Sequence, residues 1–374
     1  MAETFDAAVV GAGILGLVHA YHLAKRGLRV AVFERNPQAM GASIRNFGML
    51  WPIGQPPGAR HRLALRSREI WQGVLQESGL WHDPVGSLHL AYREDEAQVL
   101  REFVAAAPEQ GYDVALLTPE EVCARSTLLR PEGLLCGMES KTEICVDPPS
   151  VIAGLPAYLQ ANYGVTFVFN TAVIGYESPT LLAGGREWRV ERLFVCSGDD
   201  LQTLYPGVLQ QAGLSRCKLQ MLRSAPVSAR LGPMPAAGLT LRHYQSFAHC
   251  PSLAELKRRV ATETPEYDRY GVHVMASQNG RGELVLGDSH EYDADITPFD
   301  KPEIDDLILD YLNTFLAVPD LRIAARWHGI YVKHPTEPYL VTHPAPNVTL
   351  TTSVGGAGMT LSFGLAEQVV NATL

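Results

Sequence analysis

The feature that most constrains this chain is Gly11-Ala12-Gly13-Ile14-Leu15-Gly16, which follows the apolar run Phe5 to Val10 and opens a stretch with one apolar face. A short apolar run that enters a glycine turn reads as a strand buried on both faces. Leu17, Ala20, Tyr21, Leu23 and Ala24 supply the apolar face of a helix that Gly27 ends, and Arg29 to Phe33 reads as the next strand, closed by Glu34. Together they form a βαβ unit. In such a unit Gly11 permits the tight turn, Gly13 lets backbone approach a pyrophosphate, and Gly16 lets the helix pack close on the strand. The free N–H groups at the helix start favour the phosphates. Glu34, with Arg35 beside it, is placed to accept hydrogen bonds from ribose hydroxyls. The spacing predicts a dinucleotide site and does not choose between NAD and FAD.

The 374 residues suffice for two packed units. Helices are predicted over 59–81, 94–106, 118–125, 148–163 and 301–315, and from Met359; strands over 84–92, 165–169, 192–196, 271–275, 283–287 and 347–352. Thr118-Pro119-Glu120-Glu121 is a capping signal. From Lys218 to Gly287 the pattern is one of strands and irregular turns, and no internal repeat is evident. The expected fold class is α/β: a Rossmann-like dinucleotide domain from 1–82, 142–216 and 325–374, interleaved with an α+β substrate domain on a mostly antiparallel sheet from 83–141 and 217–324.

Thirty-one Lys and Arg stand against 40 Asp and Glu, a net charge of −9, which argues against a nucleic-acid partner. The six cysteines show neither C-x-x-C nor zinc-like spacing, so reduced thiols in a cytoplasmic protein are expected, with no metal. The apolar run from Ala7 to Ala20 lacks the basic start of a signal peptide. No stretch reaches the roughly 20 apolar residues of a membrane span.

Gly41 to Leu50 after the second strand and Val354 to Leu361 before the final helix carry a resemblance across the whole chain. The sequence resembles the glycine oxidase, sarcosine oxidase and D-amino acid oxidase family of flavoproteins. The resemblance implies FAD, with Ala42, Ser43, Asn46, Gly48, Met49 and Leu50 along the ribityl chain and isoalloxazine. It also implies that Gly355, Gly356, Gly358, Met359 and Thr360 lie near the pyrimidine edge, Val173 near adenine, and Ser197 and Gly198 near the pyrophosphate. A helix N-terminus at the pyrimidine edge stabilises the negative charge that grows there on reduction. The implied activity is oxidation of the C–N bond of a small amine by hydride transfer to flavin N5. The resulting imine hydrolyses to an aldehyde or oxo acid, and O2 or an electron carrier accepts the electrons. Since the cofactor carries the chemistry, no general base is assigned.

Four positions depart from the family. Gly329 stands where some sarcosine oxidases attach flavin through cysteine, which implies non-covalent FAD. Tyr331 stands near the place of a carboxylate-clamping arginine, Val285 near that of a lysine linked to oxygen reactivity, and Thr360 near that of a substrate lysine. The segment Arg45 to Pro56 resembles a branch associated with aminophosphonate breakdown, which implies 2-aminoethylphosphonate or its N-methyl derivative as substrate. Lys333, His334, Arg45 and His273 are the cations available to a phosphonate. Met49, His273, Tyr331 and Lys333 are the substrate-facing candidates. Set against these, His273 also reads as a core histidine in a strand, Lys333 and His334 as a solvated loop past one, and His243 and Tyr244 as packing. A glycine, sarcosine or D-amino acid oxidase, an NAD-dependent dehydrogenase and a non-catalytic flavin-binding subunit are the rival functions.

Overall fold

The first strand runs from Thr4 to Val10 and lies between Val30–Phe33 and Arg186–Val195, parallel to both, in the computed structural model, which describes residues 3–293 and 296–374. Its unbroken apolar run has a two-sided cause. Ala7 and Val9 pack under the helices Ile14–Lys25, Pro148–Tyr163 and Gly358–Thr373, while Ala8 and Val10 face a second layer with Val173, Leu181 and Trp188. Thr166–Val168 extends the parallel sheet beyond Val30–Phe33, and Val348–Thr352 extends it beyond Arg186–Val195. The first, middle and last thirds of the chain thus share one sheet.

The second sheet is built around Ser215–Ser224, which pairs antiparallel with Ile323–Lys333 on one side and with Leu284–Gly287 and Glu291–Asp293 on the other. It continues through Met275–Gln278 and Met234–Ala236 to Ser87–Ala91, where the Met234–Ala236 and Ser87–Ala91 pair is parallel. Cys136–Ser140 and Val114–Leu117 complete it, antiparallel. The result is the expected α/β architecture: a dinucleotide-type sheet with a parallel centre, to which Val173–Glu177, Thr180–Ala183 and Leu340–Thr342 add antiparallel strands, interleaved with a mostly antiparallel one.

The structure corrects several sequence expectations. The strand Ile323–Lys333 belongs to the second sheet, although most of it falls in the stretch 325–374 assigned to the dinucleotide domain; Ser215 and Arg216 join the second sheet as well. Lys333 ends that strand instead of lying in a loop beyond it. The region read as strands and turns also holds the helix Leu253–Glu263, whose Leu253, Leu256 and Val260 are buried at helical spacing. His273 precedes the strand Met275–Gln278; its N–H donates to the Asp288 carbonyl at 3.1 Å, and the Asp288 N–H donates back at 2.8 Å. All six cysteines are free, and no helix among the described residues is long and apolar enough to cross a membrane.

Candidate functional site

The turn between first strand and first helix opens onto a cavity of about 1000 Å3. Gly11 has φ +97°, and a Cβ there would lie 2.5 Å from the Cys196 carbonyl oxygen, because the neighbouring strand passes through that space. Gly13 borders the cavity. Gly16 does not: its missing Cβ would stand 1.8 Å from the Gly11 oxygen, which lets the helix close on the turn. Glu34 is buried at the end of the second strand and accepts the Ala12 and Asn36 N–H groups, each at 3.0 Å. Arg35 is ion-paired with Asp200, and both border the cavity with Val173, Ser197 and Gly198.

The wall beyond is assembled from segments at opposite ends of the sequence. The Trp51 N–H donates to Thr360 Oγ1 at 2.9 Å, across 309 residues of chain. The Trp71 indole donates to the Met359 carbonyl at 2.8 Å, and Thr352 Oγ1 donates to the Gly198 carbonyl at 3.0 Å. These bonds fix the turn Gly355–Ala357 and the start of the last helix against the segment that follows the second strand. Ala42, Ser43, Asn46, Met49, Gly355, Gly356, Gly358, Met359 and Thr360 all border the cavity that begins at Gly11. Gly48 and Leu50 do not, which corrects their expected flavin contact. Gly48, at φ +72°, passes so near Val146 that a Cβ would lie 2.0 Å from its carbonyl oxygen, and Leu50 is buried opposite Ile144. They shape the wall from behind.

The second sheet supplies the remaining side. Met49, Leu219, Met221 and Met275 make it apolar near the middle, and a group of rings makes it polar at the end. The His243 ring lies 3.8 Å from His273 and 4.6 Å from His290, and His273 and His290 are stacked at 5.0 Å. His243 is exposed and borders the cavity, whereas His273 and His290 are buried. Burial, then neighbouring positive and imidazole groups, holds His243 and His273 well below their ordinary pKa. Burial also lowers His290, to about 4. Burial raises Asp288 well above the carboxylate range and Tyr331 well above the phenol range. At neutral pH the rings are therefore uncharged.

Tyr331 links this group to the terminal glycines, since a Cβ on Gly356 would lie 3.8 Å from its hydroxyl oxygen. Its hydroxyl is 3.5 Å from that of Tyr292, and the Lys333 ammonium sits 5.0 Å from the Tyr292 ring centre. All four candidate cations, Arg45, His273, Lys333 and His334, border the cavity, and Lys333 lies close enough to act on His243 and His290. Arg45 borders the cavity but donates to the His328 carbonyl at 3.3 Å, and His334 Nδ1 accepts the Glu337 N–H at 2.9 Å. Val285 lies off the cavity, in an apolar cluster with Met49 and Trp327. Sequence reasoning missed Asp288, His290 and Tyr292. The available signal was their position just after Leu284–Gly287, which pairs with the strand that His273 precedes.

Shape and chemistry suit a dinucleotide: the walls are bare backbone at Gly11, Gly13, Gly198 and Gly355, and Trp51 Nε1 and Ser353 Oγ are buried at the cavity without a protein partner. Fold and site define a dinucleotide-binding oxidoreductase whose pocket is closed by the two ends of one chain. The chain belongs to the DAO family of FAD dependent oxidoreductases, whose model matches residues 6–372. FAD is accordingly its cofactor, which removes the NAD-dependent dehydrogenase. A glycine oxidase of Geobacillus kaustophilus (strain HTA426) is 27% identical over 361 residues, spanning 92% of this chain and 86% of that protein. A glycine oxidase structure from Bacillus cereus ATCC 14579 shares the fold with a TM-score of 0.79 at 19% identity, covering 99% of this chain and 94% of that one. An FAD-bound L-alpha-glycerophosphate oxidase from Mycoplasma pneumoniae does so with a TM-score of 0.77 at 17% identity, over 99% and 94% of the two chains.

Proposed function

We propose that the protein oxidises the C–N bond of a small amine that carries a phosphonate, with 2-aminoethylphosphonate or its N-methyl derivative as substrate and phosphonoacetaldehyde as the final product. The observation that carries the reading is the cavity's polar end. Tyr331 borders that end, near the place where the family resemblance implies a carboxylate-clamping arginine, and Lys333 borders the cavity with no ion pair among the described residues. The segment Arg45 to Pro56 and the amine-oxidising relatives support it.

The FAD would lie with its adenosine end at Glu34, Arg35 and Val173, its pyrophosphate at Gly11, Gly13, Ser197 and Gly198, and its ring system between Ala42–Met49 and Gly355–Thr360. Bound FAD supplies the acceptor for a hydride from the carbon beside the amine. Met49, Met275 and Leu219 keep that carbon in an apolar, water-poor space, and Tyr331 orients the substrate from the glycine turn. The amine reacts in its neutral form, its proton having gone to solvent before the hydride leaves, and no side chain is assigned to remove that proton.

The test is anaerobic mixing of the yellow holoenzyme with glycine, sarcosine, D-alanine, 2-aminoethylphosphonate and its N-methyl form. Bleaching near the flavin band is expected with the phosphonates. Bleaching by the carboxylates alone would eliminate the phosphonate reading, and no bleaching by any amine would favour a non-catalytic flavin subunit. Hydrogen peroxide released in air then separates oxygen from a carrier as acceptor. Gly329 cannot hold flavin covalently, so acid precipitation is expected to leave all the yellow colour in the supernatant; colour retained in the pellet would contradict non-covalent binding.

A further inference from the structure

We propose that His243, His273, His290 and Lys333 together seat a tetrahedral dianion on the substrate, a phosphonate or phosphate group, and that the imidazoles take up protons as it enters. The proposal deepens the reading above and rests on it for the amine at the substrate's other end. Its ground is geometric. One nitrogen from each of the three imidazoles lies within 4.8 Å of the other two, and all three residues border the cavity. Both ring nitrogens of His273 and Oδ1 of Asp288 are buried without a hydrogen bond, though His273 Nε2 and Asp288 Oδ1 are only 3.2 Å apart. Buried polar atoms seldom go unpaired, so this group is incomplete as it stands.

Three neutral imidazoles at this spacing could also hold a metal ion. Surrounding charge decides against it. Lys333, at the end of the strand Ile323–Lys333, and Arg242, whose Nε is buried and unpaired, both border the cavity and act on His243 and His290. Arg242 also pairs with Asp268 and donates to the Val272 carbonyl at 2.8 Å. Among the described residues, Asp288 is the carboxyl that borders the cavity beside the three rings, and burial keeps its proton on. The other titratable groups there, Tyr244, Tyr292, Tyr331 and the Cys217 thiol, are all pushed upward by burial and stay neutral. A neutral cluster beside the Lys333 ammonium, which has no ion pair among the described residues, with Arg242 offset by Asp268, repels a metal dication and attracts a dianion.

The donors also match in number. His290 Nδ1 donates to the Gly271 carbonyl at 3.2 Å, so its Nε2 gains an N–H on taking up a proton; with that, three imidazole N–H groups, an ammonium and the Tyr331 hydroxyl suit three oxygens, more than a carboxylate offers. Burial holds the empty rings below their ordinary pKa; a dianion in contact with them reverses that shift. Binding at neutral pH therefore draws protons in, and affinity strengthens as pH falls until the anion itself is protonated.

The test uses the holoenzyme with methylphosphonate, which lacks an amine, followed by the flavin absorbance shift and by calorimetry in buffers of different ionisation enthalpy. Acetate is the carboxylate control, and metal content is measured before and after EDTA. Expected are saturable methylphosphonate binding, proton uptake near pH 7.5, far weaker acetate binding and no effect of EDTA. His243→Asn, whose side chain opens onto the cavity, and Lys333→Met should each weaken methylphosphonate roughly 10–100-fold. Equal affinity for acetate, unchanged affinity in both variants, absent proton uptake or a bound metal whose removal abolishes binding would each overturn the proposal. Bleaching by 2-aminoethylphosphonate at an unchanged rate in both variants would sink the cluster and leave the amine reading intact. Tight methylphosphonate binding without bleaching by any aminophosphonate would sink the substrate reading and keep the cluster; phosphoethanolamine and glycerol 3-phosphate then separate a phosphate-bearing amine from a phosphate-bearing alcohol.

Discussion

Gly16→Ala is expected to give a colourless and largely insoluble protein. The new Cβ would lie 1.8 Å from the carbonyl oxygen of Gly11 and 2.9 Å from its carbonyl carbon. Both are backbone atoms of the tightest turn in the site, and neither can swing aside as a side chain would. Overpacking a core usually costs about 1–3 kcal/mol, and a clash of this depth against backbone exceeds that range. Relief requires the helix Ile14–Lys25 to move outward, although eight of its residues, Ile14, Leu15, Leu17, Val18, Ala20, Tyr21, Leu23 and Ala24, are packed into the same cluster that buries Ala7 and Val9. The pyrophosphate turn at Gly11 and Gly13 would open with it. Gly73→Ala is the matched control: Gly73 lies inside the helix Ala59–Ser78 with nothing within 4 Å of an added Cβ. It should stabilise the protein by about 0.5–1 kcal/mol through helix propensity. The absorbance ratio of flavin to protein and the thermal midpoint of each purified holoenzyme check both; a fully yellow Gly16→Ala protein of wild-type stability would refute the close-packing argument.

The dinucleotide half of this site was legible because its chemistry is backbone chemistry. Gly11, Gly13 and Glu34 act through spacing along one continuous βαβ unit, and spacing is what a sequence displays. The terminal turn could be placed only through resemblance, because Thr360 meets Trp51 through a contact that no local pattern encodes. Gly48 and Leu50 were misplaced for a related reason. In a two-residue strand every side chain alternates sides, so neighbours of a cavity residue such as Met49 face away from it. The histidine cluster was the least visible part: His243 follows a short helix, His273 an irregular segment and His290 a strand end, and they meet through long-range bonds such as His273 with Asp288, the His290 N–H to the Tyr270 carbonyl and Arg242 to the Val272 carbonyl. The helix Leu253–Glu263 escaped notice because three buried apolar residues among charged ones are a thin signal beside so many strands.

Glu143→Ala should remove about 3–5 kcal/mol of stability and loosen the segment that carries Trp51. Glu143 is completely buried, yet three donors converge on it. The Ile53 N–H and Thr142 Oγ1 reach Oε1 at 3.1 and 2.7 Å, and Ser87 Oγ reaches Oε2 at 3.1 Å. Alanine would strand the Ile53 N–H and the Ser87 hydroxyl in a dry interior, while the half-buried Thr142 hydroxyl would keep Ser140 Oγ at 3.2 Å. The Ile53 bond matters beyond stability, because Ile53 lies two residues past Trp51, whose N–H is held by Thr360 at the cavity wall. Burial outweighs those bonds and raises the Glu143 pKa above its ordinary value, so the folded chain holds this proton more tightly than the unfolded one. Its contribution is thus fully present below the unfolded pKa and declines as pH rises through the folded one. Glu143→Gln keeps an acceptor for Ile53 and Thr142, and its amide can donate to Ser87, so it should retain most of the stability and lose that decline. Denaturant unfolding of the holoenzyme at pH 5 and pH 8 separates the cases. The gap between wild type and the glutamine variant should shift in favour of glutamine at the higher pH, and a gap that does not change with pH would show that Glu143 is ionised in the fold.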